Sequence, residues 1–397
     1  MTDFAATKAM FHLPEGMIYL DGNSLGPLPL SAPADMERVL RDEWGEMLIT
    51  GWNKADWMQK STSIGDRIAR LIGAETGHVI MGDTLSVKVY QALASAVELN
   101  PDRRVILSDS GNFPSDLYMA EGLIQSLDKG HELRVVAPEE VADNITDEVA
   151  VMMLTEVDYR SGRLHDMKAL TQKAHDHGVI TVWDLAHTAG ATDVQLAACK
   201  ADFAVGCTYK YLNGGPGAPA FIYVSPKYVD IARPAMSGWL GHDAPFAFEQ
   251  NYRPHTGIER MRVGTPPVLA LAALSSALDV WDMTNMADIR AKSKVLTDLF
   301  IAEVEARCPE LTLASPRDAN TRGSQVAFAF EDGYAAMQAM IARGVIGDFR
   351  APNIMRFGFT PLYIDEADVI RAAKILEDVM SNRLWDRDEY KIKSTVT

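Results

Sequence analysis

The sequence predicts an α/β protein whose main sheet is largely parallel and carries helices on both faces. Between about residues 60 and 224, short apolar runs alternate with amphipathic helical segments, and the last part of the chain mixes helices with fewer strands. Such alternation is typical of parallel sheets, whose ligands bind beyond the carboxyl ends of the strands. The predicted strands are 78–81, 104–107, 133–136, 149–154, 179–183, 203–207 and 220–224.

The chain is long enough for more than one core, since 397 residues exceed a single simple domain. We expect an N-terminal arm and helix over 1–50 that packs with the small domain, a large sheet domain over 51–285, and a smaller α+β domain over 286–397. Helices are predicted at 31–49, 61–72, 84–99, 114–128, 166–177, 193–199, 266–281, 289–306, 334–343 and 365–382, and C-terminal strands at 325–330, 345–349 and 354–359.

Composition and charge argue against several classes of protein. The net charge of −16 and the pI near 5.0 disfavour nucleic acid or an anionic membrane as the main partner. Cys199, Cys207 and Cys308 show neither CxxC pairing nor metal-ligand spacing, which favours a reducing cytoplasm and no metal site. The sequence contains no signal-peptide pattern and no apolar run of bilayer length. We therefore expect a soluble, cytoplasmic protein.

An acid and a lysine near neighbouring strand ends carry the chemistry of residues 183–219. Asp184 ends one apolar run, and Lys210 follows the run 203–207, just before the glycine-rich turn 214–217. Pyridoxal phosphate needs an amine to form a Schiff base and an anion to keep its ring nitrogen protonated, and this pair supplies both. The competing interpretations are a solvated surface lysine and an aspartate that caps a helix.

Two segments are predicted to open helices directly after strands. At 82–86, free amides and hydroxyls at a helix N-terminus suit a dianionic phosphate, although a plain Asp or Thr cap is equally compatible. The segment 112–116 repeats this layout, with Phe113 as a candidate for stacking on a ring. His187, taken alone, is more often a satisfied core histidine than a catalytic group.

Three further features stay open between a structural and a functional interpretation. Arg356 lies in an apolar, strand-like run, where its guanidinium needs an anion, either a substrate carboxylate or an internal acid. Trp52, with Trp57 close behind, is either a packing anchor or part of an aromatic wall. The turn-rich segment 19–27 is either a surface turn or a loop that lines a pocket.

Several distinctive segments occur in a fixed order along nearly the whole chain. They are YLDGNSLGP (19–27), NFPSDLY (112–118), DLAH (184–187), TYKYLN (208–213), GWLGH (238–242), GTPP (264–267) and RFGFTPLY (356–363). Together they resemble the kynureninase family, pyridoxal-phosphate enzymes of the aspartate-aminotransferase (type I) fold. The resemblance implies hydrolytic cleavage of the Cβ–Cγ bond of L-kynurenine to anthranilate and L-alanine, in tryptophan catabolism or NAD biosynthesis.

The resemblance also implies roles for individual residues. The catalytic residues would be Lys210 as the Schiff-base lysine, Asp184 as the partner of the ring nitrogen, and Tyr209. The other cofactor-binding residues would be Leu85, Ser86, Phe113, Asp116, Thr155 and His187, with Trp239 and Thr265 supplied by the second subunit of a homodimer. The substrate-binding residues would be Asn23, Ser24 and Trp52 near the aromatic end and Arg356 at the α-carboxylate.

The sequence departs from common family patterns at three positions. Ser86 stands where many members have threonine, which keeps the hydroxyl. Trp52 and Thr265 replace a histidine and an asparagine that animal members use around a 3-hydroxylated ring, which favours unsubstituted L-kynurenine over 3-hydroxykynurenine. The alternatives are a catalytically silent binding protein of the same fold, and a cysteine desulfurase or selenocysteine lyase. The latter needs a cysteine on a mobile loop, whereas Cys308 lies at a predicted helix end.

Overall fold

The computed structural model describes residues 1–394 of the chain. The strands are β1 (Phe11–His12), β2 (Ile18–Tyr19), β3 (Leu28–Pro29), β4 (Val79–Met81), β5 (Val105–Asp109), β6 (Glu132–Val136), β7 (Val149–Thr155), β8 (Ile180–Asp184), β9 (Phe203–Gly206), β10 (Phe221–Val224), β11 (Thr312–Leu313), β12 (Gln325–Ala329), β13 (Val345–Ile346), β14 (Asp348–Arg350) and β15 (Ile354–Gly358).

The α-helices separate most of the strands of the main sheet. They are α1 (Phe4–Lys8), α2 (Ala32–Arg38), α3 (Gly51–Lys54), α4 (Lys60–Leu71), α5 (Leu85–Leu99), α6 (Pro114–Leu127), α7 (Met167–Asp176), α8 (Leu196–Cys199), α9 (Val268–Asp282), α10 (Met286–Arg307), α11 (Gly333–Ile341), α12 (Glu366–Ser381) and α13 (Asp388–Lys391). Within residues 1–394, none of the helices combines the length and the apolar character that crossing a membrane requires.

The main sheet has seven strands in the order β4–β10–β9–β8–β7–β5–β6. The five strands from β9 to β6 run parallel, whereas β10 runs antiparallel to both β4 and β9. Every residue of β7 is buried because helices cover both faces of this parallel strand, and every residue before the terminal Thr155 is apolar. The prediction of an α/β fold with a mostly parallel sheet is confirmed.

A second sheet, antiparallel and four-stranded, lies in the C-terminal part with the order β11–β12–β15–β14. The flanking helices α10 and α12 begin at capped positions. Asn285 Oδ1 accepts a hydrogen bond from the Ala287 amide at 2.8 Å, and Asp365 Oδ1 accepts one from the Asp368 amide at 3.0 Å. Such caps satisfy amides that the helix itself leaves unpaired, so both helix starts are encoded locally.

The predicted strand 345–349 is divided into β13 and β14 at Gly347. A Cβ atom on Gly347 would lie 2.8 Å from the backbone oxygen of Arg356, so a larger residue would not fit there. On one side of this break, β13 pairs in parallel with β2; on the other, β14 pairs antiparallel with β15. Because of this break, one stretch of chain pairs with the N-terminal segment through β13 and with the C-terminal sheet through β14.

The predicted helix 31–49 is regular only over α2. It continues as π-helical turns over Val39–Glu46 and a 3-10 turn over Leu48–Thr50. Most of this continuation is exposed, and little tertiary packing is available to stabilise a regular helix. While α2 packs against α9, Thr7 near the N-terminus donates a hydrogen bond to the Leu362 carbonyl at 2.9 Å. The division into domains at 50 and 285 stays a prediction.

Candidate active site

A cavity of about 450 Å³ lies where the carboxyl ends of β8 and β9 face β14 and β15. It brings together predicted residues from segments far apart in the sequence. The cavity is lined by the predicted residues Asn23, Ser24, Leu85, Ser86, Phe113, Asp184, His187, Tyr209, Lys210 and Arg356. A neighbouring cavity of about 480 Å³ is lined mainly by apolar residues of the N-terminal arm and of the turn at 213–216, and we assign the chemistry to the polar one.

Asp184 is the last residue of β8, and its Cα partner across the sheet is Thr155 at the end of β7. Its Oδ1 accepts a hydrogen bond from the Ala186 amide at 2.8 Å, and the Thr155 hydroxyl lies 3.4 Å from its Oδ2. No α-helix begins until α8, so Asp184 does not cap a helix. The carboxylate is fixed at the floor of the cavity.

Asp116, on the first turn of α6, is fully buried beside Asp184. Burial and the charge of Asp184 raise the pKa of Asp116 well above its usual range. Burial also raises the pKa of Asp184, although the cation of Lys210 opposes this effect. Two adjacent buried carboxyl groups do not both ionise readily. A cation placed against Asp184 would therefore be stabilised, as a protonated ring nitrogen requires.

Lys210 Nζ lies 3.0 Å from His187 Nε2. Burial and the neighbouring charge of Lys210 lower the pKa of His187 well below its usual range, so the imidazole is neutral and accepts a hydrogen bond from the lysine. His187 is a buried histidine, yet it contacts the central lysine of the cavity. The structural interpretation of His187 therefore holds, and its role beside a cofactor stays a prediction.

The turn-rich segment 19–27 is not a simple surface turn, because it packs on the loop that carries Lys210. The Gly26 amide donates to the Tyr209 carbonyl at 2.8 Å, and a Cβ atom on Gly26 would lie 2.6 Å from the Lys210 carbonyl. Asn23 and Ser24 of the same segment line the cavity. The segment therefore forms part of the cavity wall.

The N-terminus of α5 supplies a site suited to an anion. Thr84 is its N-cap residue, but the Thr84 side chain makes no capping hydrogen bond. Thr84, Leu85 and Ser86 all line the cavity. Because the first amides of a helix lack partners within it and the helix dipole attracts negative charge, this wall fits a phosphate group. Burial raises the pKa of the nearby Tyr209, which keeps its phenol protonated as a donor.

Phe113 also lines the cavity, with its ring in edge contact with Tyr159 at a centroid distance of 5.1 Å. Its amide donates to Asn112 Oδ1 at 2.7 Å, and the Thr155 hydroxyl donates to the same oxygen. Asn112 thus links the Phe113 loop to the end of β7. The ring is 41% exposed, which leaves a face available for stacking.

Arg356 of β15 is buried and lines the cavity beside an internal acid. Its Nε donates to Asp348 Oδ1 at 2.7 Å, and its NH2 group donates to Ser24 Oγ at 3.0 Å. The salt-bridge interpretation of Arg356 is thus correct. It does not exclude a substrate carboxylate, because Arg356 still lines the cavity.

Five predicted residues do not line the cavity of a single chain. Asp116 and Thr155 instead contact the cavity-lining Asp184, whereas Trp52, Trp239 and Thr265 lie elsewhere. Trp52 packs edge-on against Trp57 at a centroid distance of 6.0 Å, as in the packing-anchor interpretation. Trp239 is 39% exposed, and Thr265 also lies on the surface. Their proximity to cofactor or substrate stays a prediction that depends on a second copy of the chain or on movement of the Trp52 segment.

Sequence reasoning missed Asp348 and Arg350, which frame Arg356 at the cavity wall. A signal was present, because charged residues at alternate positions of a strand share one face. The predicted strand 345–349 ended one residue short of Arg350, and this hid the pattern. Ser115, at the N-terminus of α6, also lines the cavity and was missed.

The cysteines do not suit a persulfide acceptor. Cys308 is fully buried at the C-terminal end of α10, Cys207 is buried at the end of β9, and Cys199 is only partly exposed at the end of α8. A mobile acceptor cysteine needs access to the substrate and a stabilised thiolate. Burial instead raises the pKa of all three thiols.

Comparison with known proteins identifies the family. A family profile described as the kynureninase C-terminal domain matches residues 289–376. The kynureninase of Pseudomonas fluorescens is 48% identical over 99% of this chain and 96% of its own length. The chain belongs to the kynureninase family. The kynureninase of Burkholderia pseudomallei (strain 1106a) is 47% identical, with the same coverage of both chains.

Solved structures agree with this family on the fold. An apo cysteine desulfurase from Thermococcus onnurineus NA1 has a TM-score of 0.79 at 16% identity, covering 95% of this chain and 98% of its own. A cysteine desulfurase from Escherichia coli also reaches 0.79 at 16% identity, covering 96% and 99%. At such low identity these likenesses show the fold alone, and they confirm the predicted type I fold.

Proposed function

We propose that this member of the kynureninase family is a pyridoxal-phosphate-dependent hydrolase that cleaves L-kynurenine to anthranilate and L-alanine. The observation that carries the proposal is the 48% identity to a kynureninase over 99% of the chain. The cavity supports it, because it holds a lysine, a buried acid and an anion-binding helix end. A desulfurase activity is not favoured, since the thiols are buried or partly buried.

The residues of the cavity fit pyridoxal phosphate. When bound, the cofactor supplies an aldehyde that condenses with an amine and a protonated ring that accepts the electrons of a broken bond. Lys210 offers the amine, Asp184 offers a buried anion for the ring nitrogen, and Phe113 offers a stacking face. The first turn of α5, with Leu85, Ser86 and the Tyr209 phenol, offers donors for the phosphate.

Lys210 also handles the substrate's α-proton in this proposal. Its amine, once free, is held near the cavity centre by the neutral His187 at 3.0 Å. A general base must reach the proton that it removes, and a lysine tethered next to the reacting carbon meets that condition. Asp116 and Thr155 contact Asp184 and support its position and its negative charge.

The substrate is held at both ends. Arg356 binds the α-carboxylate, and Ser24, which the sequence assigned to the aromatic end, lies beside Arg356 instead. Asn23 faces the aromatic end, which Trp52 would reach only from a second copy of the chain or after movement of its segment. Neither polar atom of the Asn23 amide has a hydrogen-bond partner within residues 1–394, although the residue is fully buried. A buried amide normally finds a partner, so a bound substrate is a natural one. Trp52 and Thr265 favour the unsubstituted ring of L-kynurenine.

We further propose a cytoplasmic homodimer whose second copy supplies Trp239 and Thr265. The rings of Trp239, Phe246 and Phe248 contact one another in sequence at centroid distances of 5.7 and 6.4 Å, and the two phenylalanines are 61% and 79% exposed. A contiguous exposed aromatic group of this kind is typical of protein interfaces. The free cysteines suit a reducing compartment.

The test is a turnover assay on the purified chain loaded with pyridoxal phosphate. We expect anthranilate fluorescence to appear from L-kynurenine with one equivalent of L-alanine, and faster turnover than with 3-hydroxykynurenine. Absence of anthranilate from a protein that has bound the cofactor would overturn the proposed function. Release of sulfide from L-cysteine in place of that reaction would favour a desulfurase.

A further inference from the structure

A second arginine shares the acid that pairs with Arg356. Arg350 NH2 lies 2.8 Å from Asp348 Oδ2, and Arg356 NH2 pairs with the same oxygen. Ser24 Oγ donates to this oxygen at 2.6 Å. Arg350 and Arg356 both line the cavity, so one buried carboxylate joins two guanidinium groups at a single wall.

Strand pairing fixes this arrangement. Asp348 of β14 is the direct Cα partner of Arg356 on β15, and directly opposed residues on one face of a sheet have adjacent side chains. Arg350 follows Asp348 by two residues, so it points to the same face of β14. The three side chains therefore meet because of backbone register.

The charges in this group do not cancel. Below about pH 7, where burial and the charge of Asp348 keep the nearby Asp21 protonated, two guanidinium groups and one carboxylate leave a net positive charge at the cavity wall. Burial alone would raise the pKa of Asp348, but Arg356 and Arg350 hold it below its usual value, so the acid stays ionised. Burial and the charge of Arg356 lower the pKa of Arg350. One added carboxylate would neutralise the excess charge and relieve the repulsion between the arginines.

We propose that Arg350 is a second ligand of the substrate's α-carboxylate, acting beside Arg356 with Asp348 holding both guanidinium groups. This inference rests on the proposed role of the cavity in binding an α-amino acid. The Arg350 side chain is 34% exposed, against 1% for Arg356. Arg350 is thus the more accessible of the two cations, and it adds selectivity for substrates with a free carboxylate.

The test compares two ligands that differ only at the carboxyl group. L-alanine and L-alaninamide are titrated into the cofactor-loaded protein, and binding is followed by the change in cofactor absorbance. We expect Arg350→Gln to weaken the binding of L-alanine about ten- to hundredfold, as for the loss of a hydrogen bond between charged groups. The affinity for L-alaninamide should change by no more than about twofold. Arg350→Lys should recover part of the L-alanine affinity.

Arg371→Gln, which removes a half-exposed arginine of α12, serves as the matched control and should change neither affinity. An Arg350→Gln protein that binds L-alanine as tightly as the wild type overturns the proposal. An equal loss for both ligands also overturns it, because that result means general damage to the site. Neither readout needs turnover of L-kynurenine, so failure of the proposed reaction and failure of this inference are separable.

Discussion

The inner wall of the cavity and its expected outer rim are assembled in different ways. The inner wall (Asp184, Lys210 and the first turn of α5) comes from strand ends and a helix start of one chain. The outer rim (Trp52, Trp239 and Thr265) lies away from the cavity in that chain. Parallel-sheet topology brings strand ends to one edge, whereas no comparable rule brings surface residues there.

The inner wall is expected to support the chemistry of the cofactor, whereas residues of the outer rim are expected to select the substrate. The inner wall offers the amine, the acid and the anion site that pyridoxal phosphate needs in any of its reactions. The rim carries Trp52 and Thr265, which are expected to choose the aromatic ring, and Trp239, which is expected to contact the cofactor. Solved cysteine desulfurases share the fold at 16% identity, so the fold does not by itself define a reaction.

The largest expected effect comes from the inner wall. In the proposed function, Lys210 is both the amine that holds the cofactor and the base for the α-proton, so we expect Lys210→Ala to lower kcat for L-kynurenine by about 10⁴-fold. The lysine-dependent visible absorbance should also disappear. Lys168→Ala, on the exposed face of α7, is the control and should retain full activity. Retention of more than a hundredth of kcat would contradict the assignment of Lys210.

The sequence was sufficient to predict the inner wall, because short-range patterns in the sequence determine where its strands end and its helix begins. Asp184 and Thr155 end adjacent parallel strands and are direct Cα partners. The apolar run before Asp184 predicts its position at a strand end, whereas only the family resemblance suggested Thr155. The contact of Asp116 with Asp184 depends on how α6 packs over the sheet and was not predicted, since the family resemblance placed Asp116 only near the cofactor. The grouping of Asp348 with Arg350 and Arg356 depends on the break at Gly347, where close backbone packing, not apolar periodicity, divides the strand.

A smaller effect tests whether the rim comes from a second copy. Trp239→Ala should weaken cofactor binding about ten- to hundredfold if the indole N–H donates to the phosphate. When Trp239→Ala and Lys210→Ala proteins are mixed and allowed to exchange subunits, each hybrid dimer regains one complete site. Random pairing should then restore about one quarter of wild-type activity at limiting cofactor. If no activity returns although hybrids form, Trp239 does not act across the interface.

Asp21, on the segment 19–27, connects the inner wall to the carboxylate-binding group. Burial and the negative charge of Asp348 raise the pKa of Asp21 to about 7. The other charged and titratable groups coupled to it are Arg350, Arg356, Tyr19, Tyr211 and Tyr363. Because the folded chain disfavours ionisation of Asp21, the protonated carboxyl group stabilises the folded state. This stabilisation is fully present below the ordinary aspartate pKa and is lost as pH rises through about 7.

The smallest expected effect follows from this titration. Above pH 7, ionised Asp21 adds negative charge near Arg356 and competes with a substrate carboxylate. We expect KM for L-kynurenine to rise severalfold between about pH 6 and 8.5 in the wild type, and to rise less in Asp21→Asn. Dividing the KM values of the two proteins at each pH removes titrations that they share, including that of the substrate amine. A ratio that stays constant across this range would show that Asp21 does not control carboxylate binding.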